Sequence, residues 1–251
     1  MTTSGVEVSH AGPVATVTLR RPDVLNAQTP ATWLALRDIG RALPGDVRVV
    51  IVRGEGRSFS AGLDISGGAG SGFLAEIGQL TPDAAADRVR EYQEGFTWLH
   101  RPDIVSVAAV QGHAIGAGFQ LALACDLRVL ADDARLTMAE VTLGLVPDLA
   151  GTKRLVELVG YARALEVCLT GRRLGADEAL SLGLATVVVP RDDLDSAVSD
   201  LVAALLSAPR DAVVEMKALL SGAASRSWEE QLRAEREAQV RRLRDLAGLG
   251  E

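Results

Sequence analysis

Cysteine is scarce in this chain. Only Cys125 and Cys168 occur among 251 residues. No CxxC pair or Cys/His cluster surrounds either, which excludes a cysteine-rich metal site, and both lie in apolar helical patterns that predict reduced core thiols. Dense runs of Lys or Arg are missing too, and the formal net charge is −7. That excludes the clustered basic surface a nucleic acid requires, while leaving room for local basic contacts to one phosphorylated ligand. No charge-free run of about 18 apolar residues exists, and the opening MTTSGVEVSHAGP has neither a basic start nor an apolar stretch of signal-peptide length. A cytoplasmic protein with no membrane partner is expected. Histidine is rare as well, at three residues. His113 has no sequence-level partner to complete a triad and reads better as structural, His10 and His100 look incidental, and without a G-x-S-x-G elbow Ser58 and Ser60 are poor nucleophile candidates.

What is present fits one compact α/β core: 48% hydrophobic and 24% charged residues over a length that can bury most of its unfolded surface. Val14 to Leu19, Val47 to Val52 and Ile104 to Val110 read as strands, two of them as continuous apolar runs suited to burial on both faces. Pro30 to Leu43 has helical spacing, with Thr29 as its cap. Helices are also expected at 119–125, 162–170, 176–182 and 197–207, and a strand at 127–130. Ser66 to Pro82 opens with clustered glycines, then becomes weakly helical, and reads as a mobile surface loop, either a tolerated insertion or a lid over a pocket. From Pro209 onward the chain is helical. Trp228, Leu232, Val240 and Leu243 form a stripe there that serves either the helix's own core or a subunit contact.

Two stretches carry chemistry. Ser58-Phe59-Ser60-Ala61-Gly62-Leu63-Asp64-Ile65 follows a buried strand, and its small residues let a ligand approach backbone that Gly62 can turn outward. Gln111-Gly112-His113-Ala114-Ile115-Gly116-Ala117-Gly118-Phe119-Gln120 joins a strand to a helix. An unpaired amide at a helix start stabilises developing negative charge. A dinucleotide turn is the weaker reading, because the glycines at 112, 116 and 118 run in the wrong order for G-x-G-x-x-G.

Together these stretches resemble the enoyl-CoA hydratase/isomerase (crotonase) family, whose motifs read F-S/C-A-G-x-D-L/I and N-G-x-A-x-G-G-G-x-E-L. The resemblance extends through Arg20-Arg21-Pro22, Leu25-Asn26-Ala27, Ala124-Cys125-Asp126-Leu127-Arg128, Glu140, Gly144-Leu145-Val146-Pro147 and Gly151-Thr152-Lys153-Arg154-Leu155. It implies an α/β spiral of repeated ββα units over 1–190 and a C-terminal helical region over 191–251 that builds trimers or dimers of trimers. It implies an acyl-CoA thioester substrate, with coenzyme A arriving as part of that substrate and no separate cofactor. The oxyanion donors would be the amides of Leu63 and Ala117, and Ala27, Ala61, Asp64, Ile65 and Gly116 would line the coenzyme A and substrate path. Pocket walls would come from Phe73, Leu74, Ile77, Leu80 and Trp98 if the glycine-rich segment closes over the site.

The family's hydratases use two glutamates. Here the first position is Gln120, which cannot exchange a proton near neutral pH, and the second is Glu140. Asp148 stands where those hydratases carry glycine and reads equally as a helix cap or an acid/base group. One carboxylate suffices for a 1,3-proton shift, so double-bond isomerisation of an enoyl-CoA is the favoured reaction. Hydration and non-catalytic acyl-CoA binding are the alternatives. The C-terminus lacks the family's D-x-x-E-G-x-x-A-F ending. Either Arg233, Arg236, Arg241 or Arg242 replaces its contacts to coenzyme A, or the ligand is held less tightly.

Overall fold

The computed structural model describes residues 4–66 and 72–249. The chain begins with a hairpin, β1 (Val6–Ala11) and β2 (Val14–Leu19), followed by helix α1 (Pro30–Ala42). Thr29 and Thr32 exchange side-chain-to-backbone bonds at the start of α1, and Pro30, whose missing NH is not needed there, occupies the first turn. Then come β3 (Val49–Gly54), the short helix α2 (Gly72–Gly78) and α3 (Pro82–Thr97). The central segment is β4 (Val105–Val110), β5 (His113–Ile115), α4 (Ala117–Ala124), β6 (Leu127–Ala131) and β7 (Arg135–Thr137). After it run α5 (Gly151–Val159), α6 (Tyr161–Thr170), β8 (Leu174–Gly175), α7 (Ala176–Ser181), β9 (Val187–Val189), α8 (Leu194–Ser207), α9 (Arg210–Ala223) and α10 (Trp228–Leu246).

The strands form a six-stranded sheet in the order β1-β2-β3-β4-β6-β9 and a small sheet β5-β7-β8. β1 and β2 are antiparallel, and the remaining large-sheet pairs are parallel. β4 is buried along its whole length, as an apolar run at the centre of a covered sheet must be. Its alternate residues divide between two cores. Ala108 and Val110 join the larger core with Val50, Val52, Trp33 and Phe119, while Val107 and Ala109 meet Leu194, Val198 and Val202 of α8 on the opposite face.

The spiral shows in the second layer. Gln28 bridges Leu63, Ser60 bridges Ala114, and β5 pairs with β7, all in parallel. Each turn therefore adds one strand to the large sheet and one short piece of extended chain to the small one. The turn after β3 is thereby fixed beside the start of α4, the two places where the sequence predicts amide donors.

Several elements depart from the sequence-based expectations. The hairpin strand β1 and helix α3 were not foreseen. The 66–82 segment turns helical at 72–78, as its weakly helical later part suggests; the glycines at 67, 68 and 70, on which the lid reading rested, lie outside the described residues. Among the described residues no helix is long and apolar enough to cross a membrane. Cys125 and Cys168 are both free thiols, and complete burial pushes Cys125 up to about 12.

Candidate active site

The turn at Ala61–Leu63 and the start of α4 touch through their backbones. Gly62 sits at φ +85°, and a Cβ there would lie 2.4 Å from Ile115 O and 3.5 Å from Ala117 N. Only glycine permits both that dihedral and that contact. Gly116, at φ +50°, is the residue before α4, and its amide donates to Thr137 O. Ala117 supplies the next NH, at the positive end of the helix. Among the described residues neither the Leu63 nor the Ala117 amide donates to a protein acceptor. Both residues line a cavity of about 550 Å³, within the range of small-molecule sites.

Glu140 faces the same cavity from the short 3-10 turn Glu140–Leu143. It is 9% exposed, so it is not a solvated surface charge. Its Oε1 accepts from Gln120 Nε2 at 2.6 Å, and its buried Oε2 has no partner among the described residues. Burial raises the Glu140 carboxyl above its ordinary range, and the hydrogen bonds from its own backbone and from Gln120 pull the other way. The amide of Gln120 has a single workable orientation. Its Oε1 accepts from Leu149 N at 2.8 Å and Gly151 N at 3.2 Å, so its nitrogen must point at Glu140.

Asp148 is not a helix cap. The residue before α5 is Ala150, at φ 66°, and no side-chain cap bond forms there. Asp148 instead lines the cavity, where burial raises its carboxyl and its charge raises that of Glu140 further. The segment is tied to α3 by Gln93 Nε2, which donates to Asp148 O at 2.7 Å.

The walls are largely apolar. Phe73, Leu74 and Ile77 of α2 line the cavity, as the sequence suggests, together with Trp33, Val89, Leu143, Leu145, Val146 and Leu149. Two expected wall residues do not. Trp98 is buried in the core against Gly40, and Leu80 is exposed beyond the end of α2. Trp33, which sequence reasoning missed, stacks edge-on to Phe73 at 5.3 Å and lies 5.1 Å from Tyr92. Tyr92 OH in turn donates to Glu76 Oε1 of α2 at 3.0 Å. Nothing in the local sequence around Trp33 distinguishes it from an ordinary buried helix residue.

Of the residues expected along the coenzyme A path, Ala61, Ile65 and Gly116 line the cavity. Ala27 and Asp64 are not in its lining; Arg21 links them, donating to Ala27 O at 2.7 Å and Asp64 Oδ2 at 2.9 Å. The Ser66 hydroxyl and amide, with Arg21, hold the Asp64 carboxyl below its usual range. At the C-terminus, Arg236, Arg241 and Arg242 form ion pairs with Glu229, Glu215 and Asp211 or Asp245 of their own chain. His113 and Ser58 stay outside the cavity lining.

The family model for enoyl-CoA hydratase/isomerase matches residues 9–245. A Bacillus subtilis protein named as an enoyl-CoA hydratase is 40% identical over 141 residues, 56% of this chain and 52% of that protein. This chain thus aligns to about half that relative's length. A mitochondrial protein of Dictyostelium discoideum bearing the same name is 31% identical over 228 residues, 90% of this chain and 78% of its own. A Thermobifida fusca structure described as an enoyl-CoA hydratase in complex with CoA superposes with a TM-score of 0.91 at 50% identity, covering 98% of this chain and 95% of that one. A second structure, from the same source in complex with acetoacetyl-CoA, gives 0.92 at 48% identity, with 96% of each chain covered. Agreement of backbone and sequence over this length reaches far beyond the shared motifs, and the chain belongs to the enoyl-CoA hydratase/isomerase, or crotonase, family.

Proposed function

We propose that this enzyme adds water across the double bond of a 2-enoyl-CoA. The observation that carries the reading is Glu140, a carboxylate with an unpartnered Oε2 among the described residues, which lines the same cavity as Leu63 and Ala117. Water attacks C3 and gives its proton to Oε2. The electron pair of the double bond moves toward the thioester, whose oxygen becomes an enolate held by the two amides, a stabilisation worth about 2.7–4 kcal/mol per donor. Glu140 then returns the proton to C2. One carboxylate closes the cycle, and the second N–H of Gln120 is available to orient the water. The relatives' names favour hydration over the isomerisation preferred from sequence.

Isomerisation stays as a second reading because Gln120 replaces one carboxylate. Glu140 would then take a proton from C2 of a 3-enoyl-CoA and deliver it to C4. Crotonyl-CoA losing its conjugated absorbance with purified enzyme supports hydration; a 3-enoyl-CoA gaining it supports isomerisation. Binding without either change would leave acyl-CoA carriage. Glu140→Gln is expected to lower the operative activity by about 10²–10⁴-fold.

Among the described residues no Lys, Arg or His lines the cavity, whose charged groups are Glu140 and Asp148. We infer an uncharged, apolar acyl group, because a distal carboxylate would meet two acidic side chains without a counter-ion. We also propose that α9 and α10 serve subunit contacts, since Met216 and Leu220 of α9 and Trp228, Val240, Leu243 and Leu246 of α10 remain exposed on this chain.

A further inference from the structure

We propose that Gln28 is a positioning residue that fixes the oxyanion amide of Leu63 and ties it to the acyl-pocket wall at Trp33. The proposal rests on Leu63 acting as an oxyanion donor. Its backbone argument comes from the parallel bridge between residues 28 and 63. In such a bridge one residue bonds both neighbours of its partner, so the partner's own NH and C=O face the other way. Gln28 N donates to Gly62 O at 2.6 Å, and Asp64 N donates to Gln28 O at 2.8 Å. The two bonds straddle Leu63 and turn its amide away from residue 28, on the side where Ala117 and the cavity lie.

The side chain of Gln28 reaches the same turn by a second route. It is fully buried, as is Ser60. Gln28 Nε2 donates to Ser60 Oγ at 3.0 Å, and that oxygen also accepts from Gly62 N at 3.2 Å while donating to Asn26 O at 2.8 Å. On its other side Gln28 Oε1 accepts from Trp33 Nε1 at 2.8 Å. An indole nitrogen can only donate, so the amide orientation is set. The Trp33 ring is also a cavity wall, stacked on Phe73 of α2. One buried chain thus runs from the surface an acyl group would touch to the residue before the oxyanion amide. Buried networks of this kind are cooperative, so losing any link is expected to loosen the far end.

Gln28→Leu keeps the backbone bridge and the side-chain bulk but removes both amide links. Trp33→Phe keeps a ring in the wall and removes the indole donor. The first readout is the carbonyl stretch of carbon-13-labelled butyryl-CoA, an unreactive thioester, bound to each protein. Wild type is expected to shift that band to lower frequency, and both variants are expected to lose half or more of the shift. With crotonyl-CoA, kcat is expected to fall about tenfold in Gln28→Leu with KM changed less than twofold, the pattern of a contact felt only in the transition state. The double variant is expected to lose no more than either single one, because the links belong to one chain. A shift that persists in both folded variants, even with a lowered melting temperature, would overturn the positioning role and leave Gln28 as packing. No shift in wild type would overturn the oxyanion reading itself, and this proposal with it.

Discussion

Replacing Gln120 with Leu is expected to move the acid limb of the hydration profile upward by about 1–2 pH units. The bond at stake is Gln120 Nε2 to Glu140 Oε1 at 2.6 Å, between buried groups. It stabilises the ionised carboxylate and therefore lowers the carboxyl pKa, against the raising effect of burial. A hydrogen bond to a charged group is worth about 1.5–3 kcal/mol, and about 1.36 kcal/mol corresponds to one pH unit. Glu140 must be ionised to accept the proton of water, so activity falls as pH drops through its pKa. Removing the donor raises that pKa, and activity is lost at higher pH than in wild type. The assay is kcat/KM for crotonyl-CoA across the acid and neutral range, with circular dichroism at each pH to separate inactivation from unfolding. Gln120→Glu provides the opposing arm: a second carboxylate against Glu140 would share one proton with it, and the limb would report the pair. A Gln120→Leu limb at the wild-type position would refute the idea that Gln120 governs the charge of Glu140.

Three other outcomes follow from the geometry. Burial raises the folded-state carboxyl of Asp148, so its stabilising protonated form is fully present below the unfolded pKa and lost as pH rises through the folded one. Asp148→Asn is therefore expected to melt above wild type at pH 8, with the gap closing in acid, in a calorimetric series. Gly62→Ala must place a Cβ 2.4 Å from Ile115 O at φ +85°; kcat is expected to fall about 10²–10³-fold as the Leu63 amide is displaced, alongside a lower melting temperature. Arg128, buried with its guanidinium on the carbonyls of Ala122, Cys125, Asp126 and Leu184, is pulled down to about 10 by that burial. Arg128→Met removes a charged donor from each of those buried carbonyls and is expected to cost on the order of 3 kcal/mol by denaturant titration.

The parts of the fold that could be read in advance are those whose signal is local. β3 and β4 are apolar runs because both sheet faces are covered, and α1 announces itself by Thr29 and Pro30. β5, β7 and β8 span only two or three residues each, too few for any periodicity to define. They exist because the spiral brings their partners alongside. β1 has a different problem: its burial fades along the strand, so Val6 and Val8 alternate with residues that remain largely in water. Helix α3 was missed although Thr81 and Pro82 carry the same start signal as Thr29 and Pro30, because its low hydrophobicity hides the face that holds Tyr92 and Phe96.

The site divides along the same line. Backbone donors need glycines at fixed places, and Gly62, Gly116 and Gly118 mark both amides in the sequence itself. Side-chain roles depend on what the fold delivers from elsewhere. Gln120 could be read as a residue unable to carry a proton, but not as one compelled to donate. That compulsion comes from Leu149 and Gly151, whose amides occupy its oxygen from about thirty residues downstream. Nothing in the sequence singles out Gln28, and its significance lies in Trp33, Ser60 and Gly62 converging on it and on the Ser60 hydroxyl it holds. In both cases an amide side chain is oriented by groups that can only donate, so its free end acquires a direction that its chemical identity alone leaves open. Direction is what a carboxylate or an oxyanion amide needs from a neighbour that cannot itself transfer a proton. The two glutamines therefore act on the two halves of the reaction separately: Gln120 on the charge of the proton carrier, Gln28 on the aim of an enolate donor. A variant at one should leave the spectroscopic or pH signature of the other intact.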